Sequence, residues 1–307
     1  MPIVSIHHRT TYRYRNRVGF GEHRMMLRPI EAFDQRLLSF ALDISPEPHV
    51  LHHLHDATGS CVGVARFERR AQKLVFESRA RIDHLPHNPL ALACDDAAID
   101  GPVFTYDEDV APELVNSIQR RCADGGEVHD WARRFLRPVG RTRVSAILSD
   151  MTHAIRADFD YRLRLSGAPQ PPAETLERRS GSCRDFALLM MEAARSLGLG
   201  ARFASGYLYS SDGATKTRAS KGHTHAWARV FLPDGGWTDF DPTNGLIGNE
   251  GLIRVAVATS PRTVLPLHGT WSGLASDYLG MDVEVDVSID DDMATQPLAN
   301  SGVAATG

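Results

Sequence analysis

A thiol, an imidazole and a carboxylate follow one another along this chain as Cys183, His225 and Asp241. Brought together, three such groups perform nucleophilic acyl chemistry. The sulfur attacks a carbonyl, the imidazole carries the proton, and the carboxylate fixes the imidazole tautomer and steadies its charged form. A cysteine becomes a strong nucleophile when its surroundings favour the thiolate and a base stands beside it. The stretches around these residues supply plausible versions of both, and the first expectation is a thiol enzyme acting on acyl groups.

The element that must position the thiol is a helix. In GSCRDFALLMMEAARSLGLG, residues 181–200, apolar side chains fall at Phe186, Leu189, Met190, Ala193 and Leu197. Spacings of three and four predict an amphipathic helix with one buried stripe. Ser182 and Asp185 form a capping-box pattern at its start, and Gly198 or Gly200 stops it. Cys183 then lies in the first turn, where unpaired N–H groups and the helix dipole favour an anion. The plain alternative is a buried structural cysteine.

The other two groups sit on a predicted hairpin. In HTHAWARVFLPDGGWTDFDPTNG, residues 223–245, the residues from His225 to Leu232 follow strand periodicity, Pro233-Asp234-Gly235-Gly236 is turn chemistry, and Trp237 to Asp241 returns. Asp241-Pro242 ends the strand, because proline cannot continue a ladder. Pairing Leu232 with Trp237 sets Asp241 opposite Ala228 rather than His225. A bulge, a longer loop or a diagonal contact is therefore needed, and the sequence does not choose among them. His223 and Asp239 are rivals on the same strand faces. Trp227, Trp237, Tyr161 and Tyr207 read as packing residues. The Cys183 N–H is a candidate donor to a developing oxyanion; the sequence identifies no second one.

GSCRDFA, a long helix, GYLY, HAW and GWTDFDPTNG, in that order, resemble the bacterial transglutaminase-like family, whose members are often described as predicted cysteine proteases. The resemblance is close from Phe159 to Asn244 and continues through residues 253–257 and 263–272. The first hundred residues resemble the β-rich region that often precedes this core. Ser182 departs from the apolar or other small residue expected there. The resemblance implies a papain-like core with Cys183, His225 and Asp241 as a catalytic triad; with no P-loop or EF-hand pattern in the chain, no cofactor is expected. HAW and DPTN favour His225 over His223 and Asp241 over Asp239. It leaves the reaction open, since relatives include cross-linkers, amidases and peptidases. The expectation is hydrolysis of protein or peptide amides. Glutamine cross-linking and a non-catalytic peptide-binding module are the alternatives.

Composition fits an ordinary globular protein. The chain has 307 residues, 42% hydrophobic and 23% charged, with net charge −4, which gives no general attraction to nucleic acid. No apolar run long enough for a membrane span occurs, and the N-terminus lacks a signal-like apolar segment. Cys61, Cys94, Cys122 and Cys183 are scattered without CxxC spacing, so the expected location is a reducing cytoplasm. His52, His53 and His55 cluster without a third ligand and read as a solvated strand. Oligomeric state is not addressed by the sequence.

The predicted fold class is α+β: an N-terminal antiparallel β-sandwich over 1–100, then a helical segment plus the papain-like core over 101–290, and a disordered tail over 291–307. Strands are expected at 3–15, 36–44, 61–67 and 73–82, with a proline-marked linker at Pro86, Pro89 and Pro102. Helical stripes follow at Val128–Phe135 and Val144–Ile155, a short helix at 174–179, and strands at 252–257 and 281–289.

Overall fold

Ile3–Met25 forms one long strand, β1, whose alternate residues Val4, Ile6, His8 and Thr10 are buried. The computed structural model describes residues 2–88, 90, 97–164, 167–209 and 223–290. The expectations for Pro89, Cys94 and the tail 291–307 lie outside the described residues. Around β1 run β2 (Gln35–Ser45), β3 (Val50–His55), β4 (Cys61–Arg66) and β5 (Ala71–His84). Their antiparallel order is β2-β5-β1-β4-β3. The register of β1 against β5 breaks between Arg13 and Val18. Beyond the break Val18 still pairs with Ala71 of β5, and His23–Met25 pairs with β4. Extra residues on one strand bend it and raise its twist, so the sheet curls. Tyr14, Phe20, Leu74 and Phe76 fill a small core of its own.

Two further strands complete this sheet from the other end of the chain. β15 (Leu267–Ser272) and β16 (Tyr278–Asp290) both pair with β1, with Ile3 opposite Asp290. The sequence placed these residues with the catalytic core over 101–290. They join the front sheet instead, because the edge of β1 not taken by β5 and β4 is open to them, and an unpaired edge is a template for another strand.

The middle segment carries α1 (Ala111–Ile118), α2 (Glu127–Arg133), α3 (Val144–Asp158) and α4 (Pro172–Arg178). Short paired segments join them: β6 (Ala98–Ile99) with β7 (Thr142–Arg143), and β8 (Asp160–Tyr161) with β9 (Ser180–Gly181). Then come α5 (Cys183–Ser196), β10 (Ala201–Leu208), β11 (His225–Leu232), β12 (Gly236–Asp241), β13 (Leu246–Ile247) and β14 (Leu252–Ala258). These strands form a second antiparallel sheet in the order β13-β12-β11-β10-β14. The α+β class is as expected. None of the five helices among the described residues is long and apolar enough to cross a membrane.

The helix α5 differs from the single stripe expected of it, since every residue except Arg184 is buried. The second sheet packs on one side of it and α2, α3 and α4 on others. Its polar residues therefore need internal partners. Glu192 accepts from the N–H groups of Arg121 and Cys122, and Arg195 donates to Glu192 and to the carbonyls of Ser117, Ala201 and Thr259.

Front sheet and second sheet share one hydrophobic core, which joins Val4, Ile6 and Ile82 to Ile147, Phe186 and Val230. Buried polar contacts cross the same boundary. Arg254 on β14 pairs with Asp34, and the Gln35 side chain bonds both the N–H and the carbonyl of Arg254. His8 Nδ1 lies 2.9 Å from the Tyr207 hydroxyl, and His84 Nδ1 2.7 Å from that of Tyr209.

Candidate active site

The turn into α5 is built to hold Cys183. Asp185 Oδ2 accepts from the Ser182 N–H at 2.7 Å and from its hydroxyl at 2.8 Å. Oδ1 takes the Gln170 N–H and the Arg164 guanidinium, so one buried carboxylate ties Arg164 and Gln170 to the helix start. A Cβ at Gly181 would come 2.8 Å from that of Asp185, and this close approach requires glycine. Cys183 follows as the first residue of the helix, 9% exposed.

The hairpin settles the register the sequence left open. Leu232 pairs with Gly236, not Trp237. The loop thus has three residues, closed by the left-handed Gly236 at φ +61°, a form that suits glycine. One residue of slip moves a strand's side chains to the other face. Asp241 consequently lies on the same face as His225, diagonal to it, and its Oδ2 is 2.8 Å from His225 Nε2. The rival Asp239 shares this face but is taken up by Trp227 Nε1 at 2.7 Å and by Arg229 and Arg254. Asp241 pairs with His225 and not with His223, whose buried Nδ1 has no hydrogen-bond partner among the described residues.

Asn244 was not singled out by sequence reasoning, although it lies in the DPTN string. Its Nδ2 donates to Asp241 Oδ2 at 2.7 Å and lies 3.4 Å from His225 Nε2. The Thr243 N–H, at 3.0 Å, bonds the other carboxylate oxygen. Burial alone would raise the Asp241 pKa, but the His225 charge and these hydrogen bonds hold it below its ordinary value. Burial likewise opposes charge on His225. Asp241, and then Cys183 beside the ring, outweigh it and raise the pKa well above 6.5. Trp227 stacks on His225 with centroids 6.0 Å apart and is fully buried, so it is a packing residue as expected. His225 Nδ1 is buried and has no hydrogen bond of ordinary geometry. Cys183 is the ionisable group that acts on this ring besides Asp241.

Cys183 and His225 both line a cleft of about 170 Å³. Its far wall comes from the front sheet: His8, Thr10 and Tyr12 on β1, with Met281 and Val283 opposite them on β16. Phe203, Val264 and Leu267 make the rest of the lining largely apolar, and no carboxylate is among the lining residues. Tyr161, expected to be structural, also lines the cleft. Tyr207 is buried with its hydroxyl bonded to His8. His53 and His55 are exposed on the edge strand β3. Among the described residues no group of three or more His, Cys, Asp or Glu side chains is placed to hold a metal ion.

Residues 4–83 match the model of the bacterial transglutaminase-like N-terminal region, and residues 124–242 match that of the transglutaminase-like superfamily. The chain belongs to this superfamily, with the bacterial N-terminal region in front, as the motifs implied. Its kind of chemistry is cysteine-based acyl transfer or hydrolysis.

The chain is similar to uncharacterized proteins of mycobacteria. It is 34% identical to ML0607 of Mycobacterium leprae over 130 residues, which are 42% of this chain and 46% of that one. It is 28% identical to Rv2569c of Mycobacterium tuberculosis over 291 residues, 91% and 90% of the two chains. A crystal structure from Cytophaga hutchinsonii, described provisionally as a cysteine protease, shares the fold with a TM-score of 0.70 and 18% identity, covering 96% of this chain and 93% of that chain.

Proposed function

We propose that this protein hydrolyses protein or peptide amides through Cys183, His225 and Asp241. The observation that carries the reading is the buried His225–Asp241 pair, whose His225 lines one cleft with Cys183 at the start of a helix. Cys183 Sγ bonds to the amide carbon with its proton already carried by His225. The tetrahedral adduct collapses, the C–N bond breaks, and His225 returns the proton to the departing amine. Water then attacks the thioester, with His225 taking and returning a proton again, and the acid leaves. An amine in place of water gives cross-linking, which needs a second occupant of the cleft. The apolar lining supports substrates with uncharged side chains beside the reacting amide.

The test is a library of peptides, including glutamine-containing ones, incubated with and without a primary amine. Hydrolysed product is expected in both cases. Amine incorporation as the main product overturns hydrolysis in favour of transfer. Cys183→Ala abolishes turnover and costs about 1 kcal/mol or less in a thermal melt, because little buried volume is lost. Turnover that survives this substitution removes Cys183 from the mechanism.

A further inference from the structure

We propose that the Tyr161 hydroxyl is the second hydrogen-bond donor, beside the Cys183 N–H, to the oxygen of the carbonyl that Cys183 attacks. This rests on the function proposed above.

The placement is set by backbone. β8 pairs in parallel with β9, with Tyr161 opposite Gly181, two residues before Cys183. The Arg162 N–H bonds the Gly181 carbonyl at 2.8 Å and locks the alignment. The ring meets Phe186 edge-on, with centroids 6.5 Å apart. That contact fixes the ring while the side chain forms part of the cleft wall together with Ser182 and Cys183.

The hydroxyl is the feature that points to a ligand. It has no hydrogen-bond partner among the described residues, although a half-buried phenol ordinarily finds one. Two other donors on this wall, and one on the far wall, are committed. The Ser182 hydroxyl and the Arg164 guanidinium both go to Asp185, and His8 is held by Tyr207 and Thr10. Burial, and then the negative charges of Cys183 and Asp241, push the Tyr161 pKa up. The group therefore keeps its proton, and it lies in the field of the nucleophile.

The chemistry balances without proton transfer from tyrosine. As the C–S bond forms, the carbonyl π pair moves onto oxygen. That oxygen accepts hydrogen bonds from the Tyr161 O–H and the Cys183 N–H. When the C–N bond breaks the pair returns to the carbonyl, and both donors are unchanged. Donors already in place where charge develops need no reorganisation during reaction.

The experiment compares two reagents on the wild type and on Tyr161→Phe, which keeps the ring and its packing. A leucine-containing peptide aldehyde adds to Cys183 as a hemithioacetal, whose oxygen occupies the proposed position. Iodoacetamide alkylates the same sulfur by displacement at a saturated carbon and develops no charge there. Tyr161→Phe is expected to weaken aldehyde binding by about 100-fold, the usual effect of removing one such donor. Its alkylation rate and melting temperature should stay at wild-type values, and on any amide substrate the loss should fall on kcat rather than KM. Wild-type aldehyde affinity in Tyr161→Phe overturns the proposal. So does a parallel loss of alkylation, which marks a role in shaping the site. Wild-type protein whose Cys183 reacts with neither reagent overturns the functional reading itself, and this proposal with it.

Discussion

At Asp241 a single carboxylate decides the charge state of the histidine beside it. Burial would leave His225 neutral; the carboxylate reverses that. Asp241→Asn keeps the shape and most of the hydrogen bonding but removes the charge. The His225 pKa should then fall, since desolvation is no longer opposed, and the imidazolium should be lost at neutral pH. Alkylation of Cys183 at pH 6–7 should slow, and turnover should drop by about 10³ to 10⁴, the scale seen when such a carboxylate is neutralised. A wild-type pH profile of alkylation in Asp241→Asn would detach the carboxylate from the thiol's reactivity. The three residue types and their order were legible in the sequence, and the contact between them was not. It depends on whether the turn has four residues or three, and Pro233-Asp234-Gly235-Gly236 accommodates both. Tyr161 was illegible for a different reason. A tyrosine two residues after a phenylalanine reads as packing, and only the parallel pairing with Gly181 brings it to the nucleophile.

Elements followed the sequence where one face was wet. The alternation in β5 and β16 and the stripe in α3 survive in the burial pattern, as half-exposed elements allow. Elements buried on every side left no such signal. β10 is a central strand in which Ala204, Ser205 and Gly206 are all buried, and a Cβ at Gly206 would sit 1.9 Å from the Ile253 carbonyl oxygen. Its small residues serve close approach, not alternation. The helix α5 is similar: its apolar stripe was visible, while the partners of its polar side were not. Glu192 and Arg195 are both fully buried and 2.8 Å apart. Removing one charge strands the other away from water. Glu192→Gln is expected to destabilise the fold by about 3 to 5 kcal/mol, measured by urea denaturation at neutral pH. A change near zero would mean that the arginine's carbonyl partners suffice to hold its charge.

At the scale of the whole molecule, two buried histidines fasten the front sheet to the second one. Burial, then the charge of His7, lowers His8 from 6.5 to about 4; burial chiefly lowers His84 to about 4. The unfolded chain takes up these protons near pH 6.5, and the folded one only near pH 4. Between those values the unfolded state binds more protons, so stability rises with pH there and falls as pH drops. Denaturation at pH 5 against pH 7.5 should reveal a loss of about 2 kcal/mol per histidine, and a combined His8→Gln and His84→Gln variant should flatten that slope. An unchanged slope in the variant would assign acid sensitivity to other groups.

The pairing of Ile3 with Asp290 also constrains how the molecule comes into being. The edge of β1 that takes β16 stays open until residue 290 has been made. Until then the thiol, the imidazole and the acid can assemble on a finished second sheet, but the side of the crevice given by Met281 and Val283 is missing. The nascent chain would hold Cys183 in a cleft that keeps His8, Thr10 and Tyr12 but lacks Met281 and Val283. The wall opposite Cys183 is thus complete only once residues 281–290 have been made and have paired with β1.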